Sequence, residues 1–292
     1  MQKVNSLDLS IIILSYKSKQ HLKELLPSIF RSTKKYTYEV IVVDNDSKDG
    51  TAESVESLLP TIPNLKLIRN TNNGFAAGNN VGIQKSSGRY ILLLNPDTKV
   101  EPDTFETMLD MMENRPEVGI SGCKIIKPDG KLDLACRRRF PNPWNSFKTL
   151  FLKSRADYNY ADIDANREME VDSVVGAFLL IRKSVIDKIG LLDESFFMYG
   201  EDLDLCWRCK DAGYKVWYYP RTTITHYKGS SSAKAPFKSL KRFHDAMWIF
   251  YKKHYAENYS VIFSLLIWLG IYGRLSALAA VNLFKSQPRV SR

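Results

Sequence analysis

Four acidic residues and one histidine stand where a ligand or a reacting hydroxyl could meet them. Asp44 and Asp97 each follow an apolar run, Glu201 and Asp202 follow a glycine before a helical segment, and His226 lies near the end of the polar sequence. Carboxylates bind divalent cations and move protons, and imidazole does both. The chain therefore carries the groups needed for cation binding and for general acid–base chemistry.

The segment with the clearest chemical content is residues 91–97. Four apolar residues predict a strand buried on both faces, and Asn95-Pro96-Asp97 ends it, because proline cannot continue a ladder. In open α/β sheets, ligands bind at the carboxyl ends of the strands. Asp97 could therefore hold a divalent cation and, through it, a phosphate. A helix cap is an equally good interpretation of Asp97 from these residues alone.

Two other segments suit a nucleotide. Asp44 ends the apolar run 41–43 and could accept hydrogen bonds from a base or ribose, although the acidic and polar residues 44–47 also favour a plain turn. Glycines in the loop 72–82 permit close backbone approach at a helix N-terminus, where a phosphate could bind. Tight helix packing explains the same glycines. The loop matches neither the P-loop nor the GxGxxG pattern.

Glu201 and Asp202 have two interpretations. Acids in the first turn of a helix suit the helix dipole, which is a purely structural role. Two adjacent carboxylates after a glycine could also place a general base in a cleft, where burial raises a carboxyl pKa. His226 could bind a metal, but a lone histidine is more often structural.

Alternating strand and helix patterns must position these residues. Strands are predicted at residues 10–14, 39–43, 65–69 and 90–94, and helices at 20–31, 51–59, 76–85 and 102–114. This order predicts a mostly parallel, doubly wound α/β sheet with helices on both faces.

The pattern changes after residue 118. We expect a hairpin at 124–134, an irregular insertion at 137–170, strands at 171–181 and 214–218, and helices at 183–189, 201–212 and 236–255.

Charge is concentrated at one end of the chain. The net charge is +10, and residues 226–292 contribute +9 of it, from eleven Lys or Arg and two acids. No basic reading element for nucleic acid accompanies this charge, so we expect no nucleic-acid partner. We expect no signal peptide, because residues 1–9 are polar. The four cysteines form no spaced framework, and we expect reduced thiols.

The C-terminal stretch 260–284 is apolar but interrupted. Thirteen uncharged residues precede Arg274 and ten follow it, so a clean membrane span would have to tolerate that arginine. A helix lying in the membrane interface, or a re-entrant pair, fits better. A C-terminal helix packed on the protein is the alternative, although it leaves the basic flanks unexplained.

Six motifs recur in a fixed order along residues 9–232. They are Asp44-Asn45-Asp46-Ser47, Asn73-Gly74-Phe75-Ala76-x-Gly78-Asn79-Asn80, Asn95-Pro96-Asp97, Gly176-Ala177-Phe178, Phe197-Met198-Tyr199-Gly200-Glu201-Asp202-x-Asp204 and His226-x-x-Gly229-x-Ser231. On these motifs the chain resembles the family 2 inverting glycosyltransferases of GT-A fold, especially their rhamnosyltransferase-like branch. The resemblance implies a nucleotide-sugar donor, Mg²⁺ or Mn²⁺, and an acceptor hydroxyl.

The resemblance also implies a role for each matching residue. Asp202 would be the general base, with Glu201 supporting it, and Asp97 and His226 would hold the metal at the diphosphate. The donor would be bound by Ser15, Tyr16, Asp44, Asn73, Gly74, Asn79 and Asn95. Asn95 stands where an Asp-x-Asp motif has its first acid, so one charged metal ligand remains instead of two.

The resemblance implies transfer of L-rhamnose from dTDP-L-rhamnose to a saccharide acceptor, and the basic, apolar C-terminus indicates that this acceptor is lipid-linked. The resemblance and this C-terminus together predict cell-surface polysaccharide synthesis on a polyprenyl-diphosphate-linked acceptor. The enzyme would work at the cytoplasmic face of the membrane, on an anionic surface, and it could form a homo-oligomer.

Two alternatives stay open and one is disfavoured. A UDP-hexose could be the donor, or the fold could serve as a non-catalytic carbohydrate-binding scaffold, which would predict loss of the acids that are present. An oxidoreductase is disfavoured, because residues 14–18 lack GxGxxG.

The expected domains are a GT-A unit at 1–235, with a nucleotide-binding half (1–120) and an acceptor-binding half (121–235), and a membrane-associated region at 236–292.

Overall fold

The computed structural model describes residues 7–32, 35–142, 158–227 and 236–283. Its strands are β1 (Leu9–Ser15), β2 (Tyr38–Asn45), β3 (Leu65–Asn70), β4 (Tyr90–Leu94), β5 (Thr98–Val100), β6 (Val118–Ile126), β7 (Met169–Glu170), β8 (Phe178–Arg182) and β9 (Lys215–His226). Its α-helices are α1 (Lys19–Phe30), α2 (Thr51–Glu56), α3 (Phe75–Gln84), α4 (Thr104–Asn114), α5 (Lys183–Ile189), α6 (Glu201–Asp211), α7 (Pro236–His254) and α8 (Val261–Leu283).

All these strands join one sheet, in the order β3-β2-β1-β4-β8-β6-β9-β5, with β7 beside β9. The first four are parallel neighbours, as the alternating sequence predicts. Every residue of β1 and of β4 is buried, which is the mark of a strand covered by helices on both faces. The carboxyl ends of β1, β2 and β4 therefore meet at one edge of the sheet.

The second half of the sheet is mixed. Strand β8 lies antiparallel between β4 and β6, while β6 and β9 are parallel to each other. The predicted α/β sheet with flanking helices is confirmed, and its parallel pairing is concentrated in the first half. The inserted β8 carries the residues just before it, 176–177, to the end of β4.

Element boundaries differ most where pairing is long-range. The expected hairpin at 124–134 is reduced to the end of β6, a turn and one bridge between Ile126 and Leu132. The strand expected at 214–218 continues to His226, because β9 pairs with both β6 and the short β5. Part of the expected insertion, residues 143–157, lies outside the described residues.

The C-terminal stretch is one continuous helix, α8, so the expectation of a re-entrant pair is wrong. Arg274 does not interrupt the helix, and its Nη1 lies 2.8 Å from Nε2 of His244 on α7. Tyr272 donates to Asp245 of α7 over 3.2 Å, and Tyr251 of α7 lies 2.9 Å from the hydroxyl of Ser264. These contacts run in opposite order along the two helices, so α7 and α8 form an antiparallel hairpin.

Helix α7 is fixed to α6 by charge and by aromatic packing. Asp204 is fully buried, and Lys253 and His254 of α7 lie 2.8 and 2.9 Å from its Oδ1. Burial would raise the pKa of Asp204, but these partners outweigh it and lower the pKa to about 2. Phe250 packs edge-on against Trp207. The hairpin is therefore a firmly attached part of the molecule.

Candidate active site

Two unpartnered polar atoms mark the strand ends of β1 and β2. Ser15 and Asp44 are opposite each other in the parallel register. The Ser15 hydroxyl and Oδ1 of Asp44 are buried, and neither has a hydrogen-bond partner in the described part of the chain. Oδ2 of Asp44 accepts from the Ser47 amide over 3.2 Å. Because buried polar atoms are normally paired, this pair is suited to a ligand that supplies hydrogen-bonding groups.

The segment after β1 turns sharply toward the same place. Tyr16 has an exposed ring, and Lys17 has a φ of +55°. The Lys17 amide donates to the Ser47 hydroxyl over 2.9 Å. This bond joins the turn after β1 to the turn after β2, so Tyr16 lies at the rim of the strand-end pocket.

The glycine loop is held against the segment before α6. Gly74 has a φ of +113°, and a Cβ there would lie 2.7 Å from the Phe197 carbonyl oxygen, which accepts from the Phe75 amide over 2.6 Å. Asn79 is buried and donates to the Phe75 carbonyl over 2.9 Å. Asn73 is exposed at the loop tip. Gly74 is thus required by a close backbone contact.

Gly78 and Gly82 serve packing. A Cβ at Gly78 would lie 2.5 Å from the side chain of Leu14, and one at Gly82 would lie 2.4 Å from that of Ile12. Helix α3 therefore approaches β1 closely, which is the alternative that the sequence left open for these two glycines.

Asp97 and His226 are neighbours because β5 pairs with β9. Thr98 lies opposite His226 in the antiparallel ladder, and the Tyr227 amide donates to the Asp97 carbonyl over 2.8 Å. Oδ1 of Asp97 lies 3.2 Å from Nε2 of His226, and Nδ1 of His226 lies 3.6 Å from Oδ2 of Asp133. Two residues far apart in sequence thus meet at one point, with a second carboxylate behind the imidazole.

Each of the two partners shifts the pKa of the other. Burial would raise the pKa of Asp97, but the hydrogen bond and charge of His226 lower it overall. Burial would lower the pKa of His226, but Asp133 and Asp97 raise it overall. Two flanking carboxylates favour the protonated imidazole. Alternatively, one imidazole nitrogen could bind a metal while a carboxylate orients the other nitrogen.

The donor set fits a divalent metal only in part. Cis ligands of an octahedral Mg²⁺ at about 2.1 Å stand about 3 Å apart, which is close to the 3.2 Å between Asp97 and His226. Asp133 stands where an orienting carboxylate stands in carboxylate–histidine–metal arrangements. Among the described residues no group of three or more His, Cys, Asp or Glu could hold a metal. The protein therefore offers two ligands, and a metal would need others from the substrate.

Asp202 begins α6 and is held by three donors. Nη2 of Arg138 donates to Oδ2 over 2.9 Å, the Gly176 amide donates to the same oxygen over 3.0 Å, and the Leu203 amide donates to Oδ1 over 2.8 Å. Both partners of the ion pair are largely buried. Burial would lower the pKa of Arg138, but the charge of Asp202 raises it. These contacts suit an ionised carboxylate in a fixed orientation.

Glu201, one residue earlier, is in a different state. Burial and the charge of Asp202 raise the pKa of Glu201 to about 8, and its Oε2 has no hydrogen-bond partner among the described residues. Glu201 is therefore protonated at neutral pH, beside a carboxylate that three donors hold in place.

Residues 176–177 join the two acidic corners. The Asn95 amide donates to the Ala177 carbonyl over 3.1 Å, while the Gly176 amide donates to Asp202. A Cβ on Gly176 would lie 3.7 Å from the Phe75 ring. The end of β4, the glycine loop and the start of α6 thus border one another.

Sequence reasoning missed Arg138 and Asp133. Arg138 stands in the basic run Arg137-Arg138-Arg139, and Asp133 follows the Pro128-Asp129-Gly130 turn. An arginine run before phenylalanine and proline is a weak signal, and the residues that Arg138 and Asp133 meet at the site, Asp202 and His226, are distant in sequence.

The comparisons with known proteins agree with this geometry. The sequence profile "Glycosyl transferase family 2" matches residues 10–190. N-acetylglucosaminyl-diphospho-decaprenol L-rhamnosyltransferase of Mycobacterium tuberculosis is 26% identical over 265 residues, 83% of each chain. Rhamnosyltransferase WbbL of Escherichia coli K12 is 27% identical over 224 residues, 74% of this chain and 82% of that one.

A solved structure shares the fold. Mannosyltransferase PcManGT from Pyrobaculum calidifontis, in complex with GDP-Man and Mn²⁺, aligns with a TM-score of 0.61 at 17% identity, over 98% of this chain and 78% of that one. The profile covers more than half of this chain. The chain belongs to glycosyl transferase family 2 and is a glycosyltransferase of GT-A fold, similar to the two rhamnosyltransferases named above.

Proposed function

We propose that this glycosyltransferase moves L-rhamnose from dTDP-L-rhamnose to a polyprenyl-diphosphate-linked saccharide, with inversion at the anomeric carbon. The observation that carries the proposal is the junction at residues 176–177, which connects the Asp97 corner to the Asp202 corner. The donor and the acceptor class are supported by the names of the two rhamnosyltransferase relatives.

The strand ends would bind the donor. The unpartnered atoms of Ser15 and Asp44 would pair with the base and ribose, beside the Tyr16 ring, with Asn73, Gly74, Asn79 and Asn95 forming the adjoining wall. Asp97 and His226 would hold Mg²⁺ or Mn²⁺, oriented by Asp133. A bound metal ion supplies positive charge where the diphosphate leaves.

Asp202 would act on the acceptor. Its carboxylate removes the proton from the acceptor hydroxyl as that oxygen bonds to the anomeric carbon and the bond to the diphosphate breaks. Arg138 and the two backbone amides fix the carboxylate for this transfer. Glu201, protonated at neutral pH, does not compete as a base. One displacement inverts the anomeric centre without a covalent glycosyl–enzyme intermediate.

Helix α8 would lie in the plane of the membrane. It is the one helix among the described residues that is long and apolar enough to span a bilayer. However, it is paired along its length with α7, which carries five lysine or arginine residues and is bound to α6. A spanning α8 would pull these charges into hydrocarbon at about 2.5–3.5 kcal/mol each at the bilayer centre.

The outward face of α8 suits an interfacial position. Five apolar residues of α8 are at least half exposed: Val261, Ile262, Leu265, Leu266 and Leu269. The helix follows the basic helix α7 in the chain. This apolar face and the positive charge around it support the proposal that the enzyme attaches to anionic lipid, at the cytoplasmic face of the membrane.

Co-sedimentation with anionic vesicles tests the position of α8. Leu265→Asp should reduce the bound fraction of the protein, because it places a charge in the apolar face that would enter the membrane. Leu134→Asp is the matched control, since Leu134 is an exposed leucine of the catalytic unit and should leave binding unchanged. Equal binding by both variants would place the membrane contact elsewhere.

A donor panel tests the reaction. Purified protein is supplied with dTDP-L-rhamnose, UDP-glucose or UDP-N-acetylglucosamine, each with Mn²⁺ or Mg²⁺, and with a synthetic N-acetylglucosaminyl diphospho-isoprenoid acceptor. We expect transfer from dTDP-L-rhamnose with an inverted linkage. Transfer only from a UDP-sugar would show that the proposed donor is wrong. Absence of both transfer and donor hydrolysis across the panel would contradict the whole proposal.

A further inference from the structure

A groove separate from the strand-end pocket lies between residues 195–198, α7 and Tyr272 of α8. Its volume is about 330 Å³, within the range of small-molecule sites. None of its lining residues is among the strand-end residues that would bind the donor. The groove is therefore distinct from the residues that would bind the donor.

The groove is apolar and carries one available cation. Phe196, Phe197, Trp248 and Ile249 line it, and the Arg242 guanidinium lies 3.6 Å from the centre of the Phe197 ring. Asp245 also lines it, but Lys241 and Tyr272 already occupy its carboxylate oxygens. No carboxylate in the described part of the chain lies within ion-pair distance of Arg242.

One wall of the groove leads to the reacting groups. Phe197 lies in that wall, and its carbonyl oxygen accepts from the Phe75 amide of the glycine loop. Four residues after Phe197, α6 begins with Glu201 and Asp202.

The opposite wall leads to the membrane face. Tyr272 belongs to α8, whose outward residues are apolar and exposed. A ligand in this groove would thus have the apolar helix α8 on one side and, on the other, the segment that leads to Glu201 and Asp202. An anionic head attached to a hydrocarbon chain matches that arrangement.

We infer that this groove binds the diphosphate and the first isoprene units of the lipid-linked acceptor, with Arg242 paired to the diphosphate. The inference rests on the proposed lipid-linked acceptor and adds the place where that acceptor is held. Arg242 suits the task because its planar guanidinium forms two parallel hydrogen bonds to phosphate oxygens. The aromatic residues pack against the isoprenoid chain.

Equilibrium binding of farnesyl diphosphate tests the groove directly. It is measured in non-ionic detergent with saturating dTDP, which fills the donor site, and compared with inorganic pyrophosphate and with farnesol. We expect binding of farnesyl diphosphate alone, weakened by about 10- to 100-fold in Arg242→Gln, the loss typical of a charged hydrogen bond. Lys252→Gln, an exposed cation on the same helix, should bind as the wild type does.

Each other result overturns the inference. Equal binding of pyrophosphate would indicate a general anion site. Equal binding of farnesol would indicate a hydrophobic groove that does not recognise the diphosphate head group. No binding of farnesyl diphosphate, or equal affinity in Arg242→Gln, would also contradict it. A thermal-unfolding scan confirms that Arg242→Gln is folded, and Arg242→Lys should recover part of the affinity.

Kinetics separate this inference from the proposed reaction. Arg242→Gln should raise KM for a diphospho-isoprenoid acceptor but not for an octyl glycoside of the same sugar, and the KM for the donor should not change. If the wild type hydrolyses the donor but Arg242→Gln changes the KM for both acceptors equally, the groove is not the acceptor diphosphate site. The transferase assignment then still stands. If no donor is used at all, the proposed function itself fails.

Discussion

The two acidic corners of the active site differ in how much of their hydrogen bonding the protein itself completes. At the donor corner, the Ser15 hydroxyl and one Asp44 oxygen are buried without partners. At the acceptor corner, Asp202 accepts three hydrogen bonds and is paired with a buried arginine. Both corners are built from residues distant in sequence, yet the Asp202 carboxylate has donors on both oxygens, whereas Ser15 and one oxygen of Asp44 have none among the described residues.

This difference assigns the corners different tasks. Unpaired buried polar atoms cost free energy until a ligand satisfies them, so the donor corner is suited to binding. A carboxylate fixed by three donors is suited to transferring a proton in one defined direction. Four predictions test this contrast, and they are ordered from the largest expected effect to the smallest.

Asp202→Asn should produce the largest loss of rate. The amide cannot remove a proton, so kcat for transfer should fall by about 10²- to 10⁴-fold, the usual contribution of a general base. Initial rates with saturating donor and acceptor measure this. Glu201→Gln is the neighbouring control, with a much smaller loss expected because Glu201 is already protonated. Near-wild-type turnover by Asp202→Asn would remove it from the mechanism.

Arg138→Met should cost the most stability. It leaves the Asp202 charge buried and unpaired, and breaking a buried ion pair in this way typically costs about 3–5 kcal/mol of unfolding free energy. Denaturant unfolding measures the loss. Arg139→Met, at the adjacent half-buried arginine, should cost clearly less. Equal losses in the two variants would show that the Arg138–Asp202 pair makes no particular contribution to the free energy of unfolding.

Asp133→Asn should weaken the metal requirement without abolishing activity. If Asp133 orients His226, its loss should raise the Mn²⁺ concentration for half-maximal activity by about 10- to 100-fold. Asp129→Asn, in the exposed turn four residues earlier, should leave that concentration unchanged. An unchanged Mn²⁺ requirement in Asp133→Asn would mean that His226 is a structural partner of Asp97.

Glu201→Gln should change the pH dependence of stability. A free glutamate ionises near pH 4.5, but burial and Asp202 keep folded Glu201 protonated up to about pH 8. Between these values the folded state binds more protons, so the free energy of unfolding falls as pH rises. Urea unfolding from pH 5 to pH 8 should therefore show a flatter profile in the variant. Parallel profiles would contradict the raised pKa.

The sequence predicted the parallel half of the sheet well because its signals are local. The buried run 91–94 became β4 without adjustment, and residues 39–43 lie within β2. Apolar runs bounded by turn residues determine such strands without help from distant residues. The Asp97 and Asp202 motifs could be found for the same reason.

What the sequence did not predict depends on contacts between distant residues. Arg138 reaches Asp202 across 64 positions, and β9 continues to His226 because it pairs with both β6 and β5. Arg274 of α8 meets His244 only because α7 packs against α8. A contact between residues that are distant in sequence produces no periodic pattern in the sequence. The roles of these residues can therefore be recognised only in the folded structure.

The division of labour between the two corners is tested most directly by titrating dTDP-L-rhamnose into Asp97→Ala and Asp202→Asn, each with Mn²⁺ and with EDTA. The account predicts that Asp202→Asn binds the donor as the wild type does, with Mn²⁺ strengthening binding, whereas Asp97→Ala binds weakly and equally with or without metal. Metal-dependent donor binding that survives in Asp97→Ala, or is lost in Asp202→Asn, would contradict it.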